Sequence, residues 1–412
     1  MDFGIDSEDA RANHAALRAC ATMGLVFFAV ILAVYLWLLR SGMSIPRDGS
    51  GLVVGRDFLN FWMYGHAAFS AEPGRWYDLA AYHQALASLL GPGYPGQNWS
   101  YPPTIMLLAA PFGLMGYLPA LLSWTLAGLA LFVFALRGRA SSRLIIAALV
   151  SPASVFCLIS GQSSLITAAL LLTVFACLDR RPLLAGLLIG LLSLKPQLAL
   201  LLPLALAASG RWRAFAAAAA TVLVIAALSS MLFGPESWMR FMALGLPVQN
   251  LVLQDTRGIA VPFYPTIFMN LHGAGLGFKA AMTAQLLFTL AAAAAVVWAF
   301  RRRRDADPSL LFALFTACTV MALPYLLVYD TLALTVAALL LLEKGRLDSR
   351  GRLLARLIYW LPLLQIGLGR WHVPGPALIA VFFALYIFLQ LLARTMPAAG
   401  GSAPVILADR PA

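Results

Sequence analysis

Charge is scarce in this sequence. Only 11% of its 412 residues are Asp, Glu, Lys or Arg, and the acidic ones number 17. Soluble chains carry about a quarter charged residues. With 61% apolar residues, so small a supply cannot cover a water-facing surface. A soluble globular protein is therefore excluded. Disorder is excluded as well, because it needs low hydrophobicity and high charge. Cysteine is equally sparse: Cys20, Cys157, Cys177 and Cys318 contain no C-x-x-C pair. Neither a disulfide framework nor a zinc site is suggested, and the four read as small core residues. The five histidines (His14, His66, His83, His272 and His372) are scattered without metal-ligand spacing. No metal site is expected and no cofactor is required, with a divalent metal left open. The sequence also lacks a G-x-x-x-x-G-K phosphate loop.

What is present is one apolar run after another. A membrane span needs about 20 mostly apolar residues. The first candidate covers 21–39 without a charge, too long for a signal-peptide core, and reads as a retained anchor. Further candidates lie near 120–136, 144–160, 162–178, 183–194, 197–208, 214–233, 278–300, 309–326, 331–342, 353–369 and 375–393. The expected fold class is all-α: a polytopic membrane protein of about 12 spans, one domain over 1–395, then a flexible tail over 396–412. The segments 183–194 and 197–208 are short and meet at Lys195-Pro196, which predicts a broken helix sheltered by protein or a wet cavity. The Ala-rich runs 214–220 and 291–295 predict close helix packing.

The formal net charge of +12 does not mark a nucleic-acid partner, because the basic residues punctuate the apolar segments instead of forming one stripe. They sort by side. With the N-terminus inside, 20 of the 29 Lys and Arg fall on the inner side and 9 on the outer. The positive-inside rule then puts both termini in the cytoplasm. Two large loops, 40–119 and 234–277, face outward.

The first of these departs from generic membrane sequence. Phe58, Phe61, Trp62, Gly65 and Phe69 recur at helical spacing, so the loop predicts a short helix with an aromatic face lying along the interface. A second helix is expected from Asp78 to about Leu90, ended by Gly91-Pro92-Gly93. Asp78 reads as its N-cap. Asp57 begins the first helix and has two readings, a cap or a functional carboxylate at the membrane boundary. Lys195 also has two: a cation that faces a cavity or an anion, or a side chain that snorkels to the interface. Gln162 and Tyr329-Asp330 fall at the same outer level. Polar groups from distant parts of the chain thus converge at one depth.

Several motifs resemble glycosyltransferase family 87. They are R-D-F-L-N-F-W at Arg56–Trp62, W-Y-D at Trp76–Asp78, Y-P-P at Tyr101–Pro103, A-P-F-G-L-M from Ala110, G-Q-S at Gly161–Ser163, L-K-P-Q at Leu194–Gln197 and Tyr329-Asp330. The resemblance covers about residues 50–345. It implies a GT-C-like membrane enzyme with short outer-surface helices and a polyprenyl-phosphate sugar, often mannose, as donor. It also implies that the acidic residue of the first outer loop, Asp57, is the catalytic base. Some members place a His near the late outer loop; here Tyr325 and Tyr329 stand in that neighbourhood.

The chemistry suits these residues. A lipid-phosphate sugar carries its own leaving group. Transfer then needs one base for the acceptor hydroxyl and cations for the departing phosphate. Asp57 is the expected base. Lys195 is the first choice for the phosphate, with Arg257 and Arg56 behind it. Asn60, Tyr101, Gln162, Tyr329 and Asp330 are expected sugar or lipid contacts. The expected activity is inverting hexosyl transfer to a glycan or glycolipid acceptor at the outer face of the cell inner membrane. The competing reading is a transporter or lipid-linked-sugar flippase, which a broken helix and a buried Lys would also suit. The orientation has a direct check. Cysteine placed at Ser88 is expected to react with a membrane-impermeant thiol reagent in cells whose inner membrane is intact. Reaction only after that membrane is broken would reverse the orientation.

Overall fold

The computed structural model describes residues 7–40, 42, 45–254 and 261–393. The tail 396–412 and Arg257 lie outside the described residues. Among those described, extended pairing is limited to isolated bridges from Arg47 to Arg40 and to Val53. The rest of the regular structure is helical, as the composition requires. The chain begins with α1 (Ser7–Trp37) and continues through three short helices, α2 (Phe58–Ala68), α3 (Leu79–Leu90) and α4 (Ile105–Gly113). Then come α5 (Tyr117–Leu136), α6 (Ser142–Leu149), α7 (Pro152–Ser160), α8 (Ser164–Cys177), α9 (Pro182–Leu191), α10 (Leu202–Ala208) and α11 (Trp212–Phe233). The segment after α11 holds α12 (Pro235–Arg240), α13 (Leu246–Gln254) and α14 (Ile267–Gly273). Five helices follow it: α15 (Phe278–Arg302), α16 (Pro308–Ala322), α17 (Leu332–Glu343), α18 (Ser349–Gly369) and α19 (Ala377–Ala393).

Four of these, α1, α5, α11 and α15, are long and apolar enough to cross a membrane alone. Their outward faces are bare: Val26 on α1, Phe134 on α5, Met231 on α11 and Leu287 on α15 are all exposed. Apolar surface of this extent belongs against lipid. The segment predicted as one span at 144–160 is the pair α6 and α7, bent by 51°. The bend follows from Ser151-Pro152: the Ser151 hydroxyl accepts from the Ser154 N–H, and Pro152 starts the new helix without an N–H to satisfy. Several other expected spans are shorter helices. The central ones have a physical reason to be short. Every residue from Ser309 to Ala322 in α16 is buried, so this helix is sheathed by protein and meets little lipid.

The predicted break at Lys195 is present. Tight 3-10 turns at Leu192–Leu194 and Pro196–Ala199 flank it, and Lys195 itself has the non-helical angles φ −131° and ψ 73°. Its neighbour α9 packs backbone to backbone on α11. A Cβ at Gly186 would sit 2.5 Å from the Ala214 carbonyl oxygen, so the Ala-rich run of α11 serves the close approach predicted for it.

The segment 45–116 folds into an aromatic cap. Phe61 stacks on Trp124 with centroids 4.9 Å apart, and Tyr64 stacks on Trp99 at 3.5 Å. Close contact of α2 with α4 needs Gly65 and Gly113: a Cβ at Gly65 would come 2.5 Å from the Gly113 nitrogen. Asp78 caps α3, its carboxylate accepting from the N–H groups of Ala80 at 2.9 Å and Ala81 at 3.5 Å. Gly91, at φ +95°, ends that helix where Gly91-Pro92-Gly93 was expected to end it. The segment after α11 closes on this cap through Tyr77 and Phe241, whose rings lie 5.7 Å apart.

Candidate active site

Three polar side chains meet beneath the aromatic cap because two chain turns touch. One turn carries Gly55 and Arg56, both at positive φ, into Asp57. The strained Arg56 is held by its Nε, which donates to the buried Asp48 carboxylate at 2.8 Å. The other turn ends α7 at Gly161, in the left-handed conformation. A Cβ there would meet the Phe58 side chain at 2.5 Å. The contact is completed by the Asp57 N–H donating to the Ser160 carbonyl at 3.0 Å.

Asp57 occupies the position before α2 where a cap would sit, yet its carboxylate caps nothing. Its Oδ2 accepts instead from Gln162 Nε2 at 3.1 Å and from the Tyr329 hydroxyl at 3.1 Å. The Gln162 amide is oriented by its other end, because Oε1 accepts from the Ser163 N–H at 3.2 Å. Burial pushes the Asp57 carboxyl above the usual carboxylate range. The two hydrogen bonds and the charges of Lys195 and Arg56 oppose that rise without cancelling it. The cap reading of Asp57 is thereby displaced, whereas the same reading holds for Asp78.

Lys195 does not snorkel. It is 3% exposed, and Nζ donates to Asp330 Oδ1 at 2.7 Å. Its ammonium also stands 5.2 Å from the centroid of the Tyr329 ring. The Ser164 hydroxyl donates to the same Asp330 oxygen at 2.6 Å. Tyr329 and Asp330, consecutive in one tight turn at Val328–Thr331, therefore serve different partners. The first reaches Asp57 and the second holds Lys195.

The remaining expected residues divide. Tyr101 joins the group: its phenol lies in the field of Lys195, Asp330 and Asp57. Asn60 faces the cap, donating to the Asn98 carbonyl at 3.1 Å and accepting from the Tyr82 hydroxyl. Arg56 is engaged by Asp48 but adds its charge near Asp57. Sequence reasoning missed Ser164 and Asp48. Ser164 directly follows the G-Q-S motif, a signal that could have found it. Asp48 lies in an irregular loop with no periodicity to mark it. Among the described residues, no three His, Cys, Asp or Glu side chains gather as a metal site would.

Two charges this deeply buried are stable only as a pair, since removing one partner typically costs about 3–5 kcal/mol. Lys195→Met is therefore expected to lower the thermal midpoint in detergent markedly, and the double change with Asp330→Leu to recover most of it. A Lys195→Met protein as stable as the parent would contradict the pairing.

The model of glycosyltransferase family 87 matches residues 99–329. No curated protein and no solved structure matches the chain. Tyr101, Gln162, Lys195 and Tyr329 lie within the matched region; Asp330 directly follows it and Asp57 precedes it by 42 residues, so the place of these two in the site rests on the contacts described above. The match spans more than half of the chain: this protein belongs to glycosyltransferase family 87 and is a membrane glycosyltransferase.

Proposed function

We propose that the protein moves a hexose, mannose-like, from a polyprenyl-phosphate donor to a glycan or glycolipid acceptor, in one displacement that inverts the sugar carbon. The observation that carries this reading is the Asp57 carboxylate. It stands at a helix start without capping it, half-buried, held by Gln162 and Tyr329, with a buried ammonium nearby. A structural carboxylate would be expected to cap or to pair.

The roles follow from charge. Asp57 takes the proton of the acceptor hydroxyl. That oxygen bonds to the sugar C1 as the C1–O bond to phosphate breaks, and the electron pair leaves on the polyprenyl phosphate. Lys195 offsets the charge growing on that phosphate, with Arg56 and Arg257 as further cations. The lipid tail of the donor suits a site at the bilayer surface beside bare apolar helices. Tyr101 and Asn60 are taken as sugar or lipid contacts. We place the site on the outer side of the cell inner membrane, with both termini cytoplasmic, on the strength of the 20-to-9 distribution of basic residues.

Asp57→Asn tests the base. Asn offers similar shape without basicity, and positioned bases contribute about 10²–10⁴-fold. The variant is expected to insert with an unchanged thermal midpoint, to bind donor, and to transfer sugar at least about 100-fold more slowly. Transfer within a few-fold of the parent, in folded protein, removes Asp57 from the mechanism.

A further inference from the structure

Both hydrogen bonds to Asp57 fall on one oxygen. Gln162 Nε2 and the Tyr329 hydroxyl each donate to Oδ2 at 3.1 Å, and among the described residues none falls on Oδ1. A carboxylate held this way has one oxygen anchored and one with its lone pairs free. Gln162 comes from the turn between α7 and α8, and Tyr329 from the turn before α17. The two donors thus approach from parts of the chain far apart in sequence, which fixes the carboxylate against rotation.

Tyr329 has a second contact that Gln162 lacks. Its ring face carries the Lys195 ammonium at 5.2 Å, and its chain neighbour Asp330 grips the same ammonium at 2.7 Å. Tyr329 is 4% exposed, too buried to stack freely on a sugar. We infer that Tyr329 is a positioning residue that joins the two halves of the transfer site: its hydroxyl sets the Asp57 carboxylate with Oδ1 toward the acceptor, and its ring sets the Lys195 ammonium on the donor side. The expectation that Tyr329 is a substrate or lipid contact gives way to this one. The inference rests on the reading of Asp57 as base and Lys195 as donor cation.

The two functions of the side chain can be separated. Tyr329→Phe removes the hydroxyl and keeps the ring; Tyr329→Leu removes both. The Phe variant is expected to lose about tenfold to a hundredfold in kcat, the worth of a hydrogen bond to a charged group, with donor KM within twofold. Its acid limb should move to higher pH, because a bond that favours the ionised carboxylate is gone. The charges facing Asp57 are Lys195 and Arg56, with Asp330 paired to Lys195. The other facing groups are the phenols of Tyr101, Tyr325, Tyr94 and Tyr117. Phenols ordinarily titrate near about 10, so the acid limb reports Asp57. The Leu variant should add a several-fold rise in donor KM. Parental kcat and an unmoved acid limb in Tyr329→Phe would overturn the inference, as would a Leu variant with unchanged donor KM. If the Leu protein does not insert, the Phe variant decides alone. Asp57→Asn run beside them keeps the two readings distinct. A silent Phe variant with an inactive Asn variant sinks only the role of Tyr329, whereas an active Asn variant sinks the base itself.

Discussion

The buried pair of Lys195 and Asp330 is the constraint on which the site depends. An ammonium this deeply buried is stable only when it is paired, because an unpaired buried charge costs several kcal/mol. Lys195 is tolerated because three groups converge on it or on its partner: the Asp330 carboxylate, the Ser164 hydroxyl that donates to Asp330, and the Tyr329 ring. That convergence dictates local structure. The helix carrying Lys195 must break to deliver it, and Pro196 ensures that it does. The turn before α17 must be tight enough to point consecutive residues at Asp57 and at Lys195.

The aromatic cap and the glycine contacts act around that centre. Phe58 is wedged among Phe112, Tyr117 and Trp124, which holds the start of α2 over the end of α7. Gly161 makes room for Phe58, and Gly65 with Gly113 lets α2 lie on α4. Asp57 reaches its partners because these contacts exclude alternatives. The cap is dense with rings and poor in charge, so the interior remains a low-dielectric surround in which hydrogen bonds to a carboxylate are strong.

Much of this was legible in the residues. The scarcity of charge forces a lipid-solvated helical chain, and the short segments around Lys195-Pro196 announce a broken helix. Asp78 followed by an apolar run to Gly91 gives α3 nearly to the residue, because cap and stop signals are local chemistry. The family resemblance rests on motifs spread along the chain, and its match over residues 99–329 favours a glycosyltransferase over a transporter. What could not be read is partnership. Asp57 and Asp78 look alike in sequence, each opening a short helix; only the fold reveals that Asp78 caps its helix and Asp57 turns to Gln162 and Tyr329. Likewise Tyr329-Asp330 reads as two polar residues at one level, and their division of labour needs three-dimensional contacts. Span lengths were obscure for a related reason, since hydropathy does not distinguish a helix sheathed by protein, such as α16, from one bathed in lipid.

The central claim is a single displacement driven by one carboxylate base and a cation at the leaving phosphate. It predicts stereochemistry. With purified protein and a polyprenyl-phosphate hexose of known anomeric configuration, the glycosidic product is expected to carry the opposite configuration. Retention of configuration cannot arise from a single in-line displacement, and would contradict the account directly.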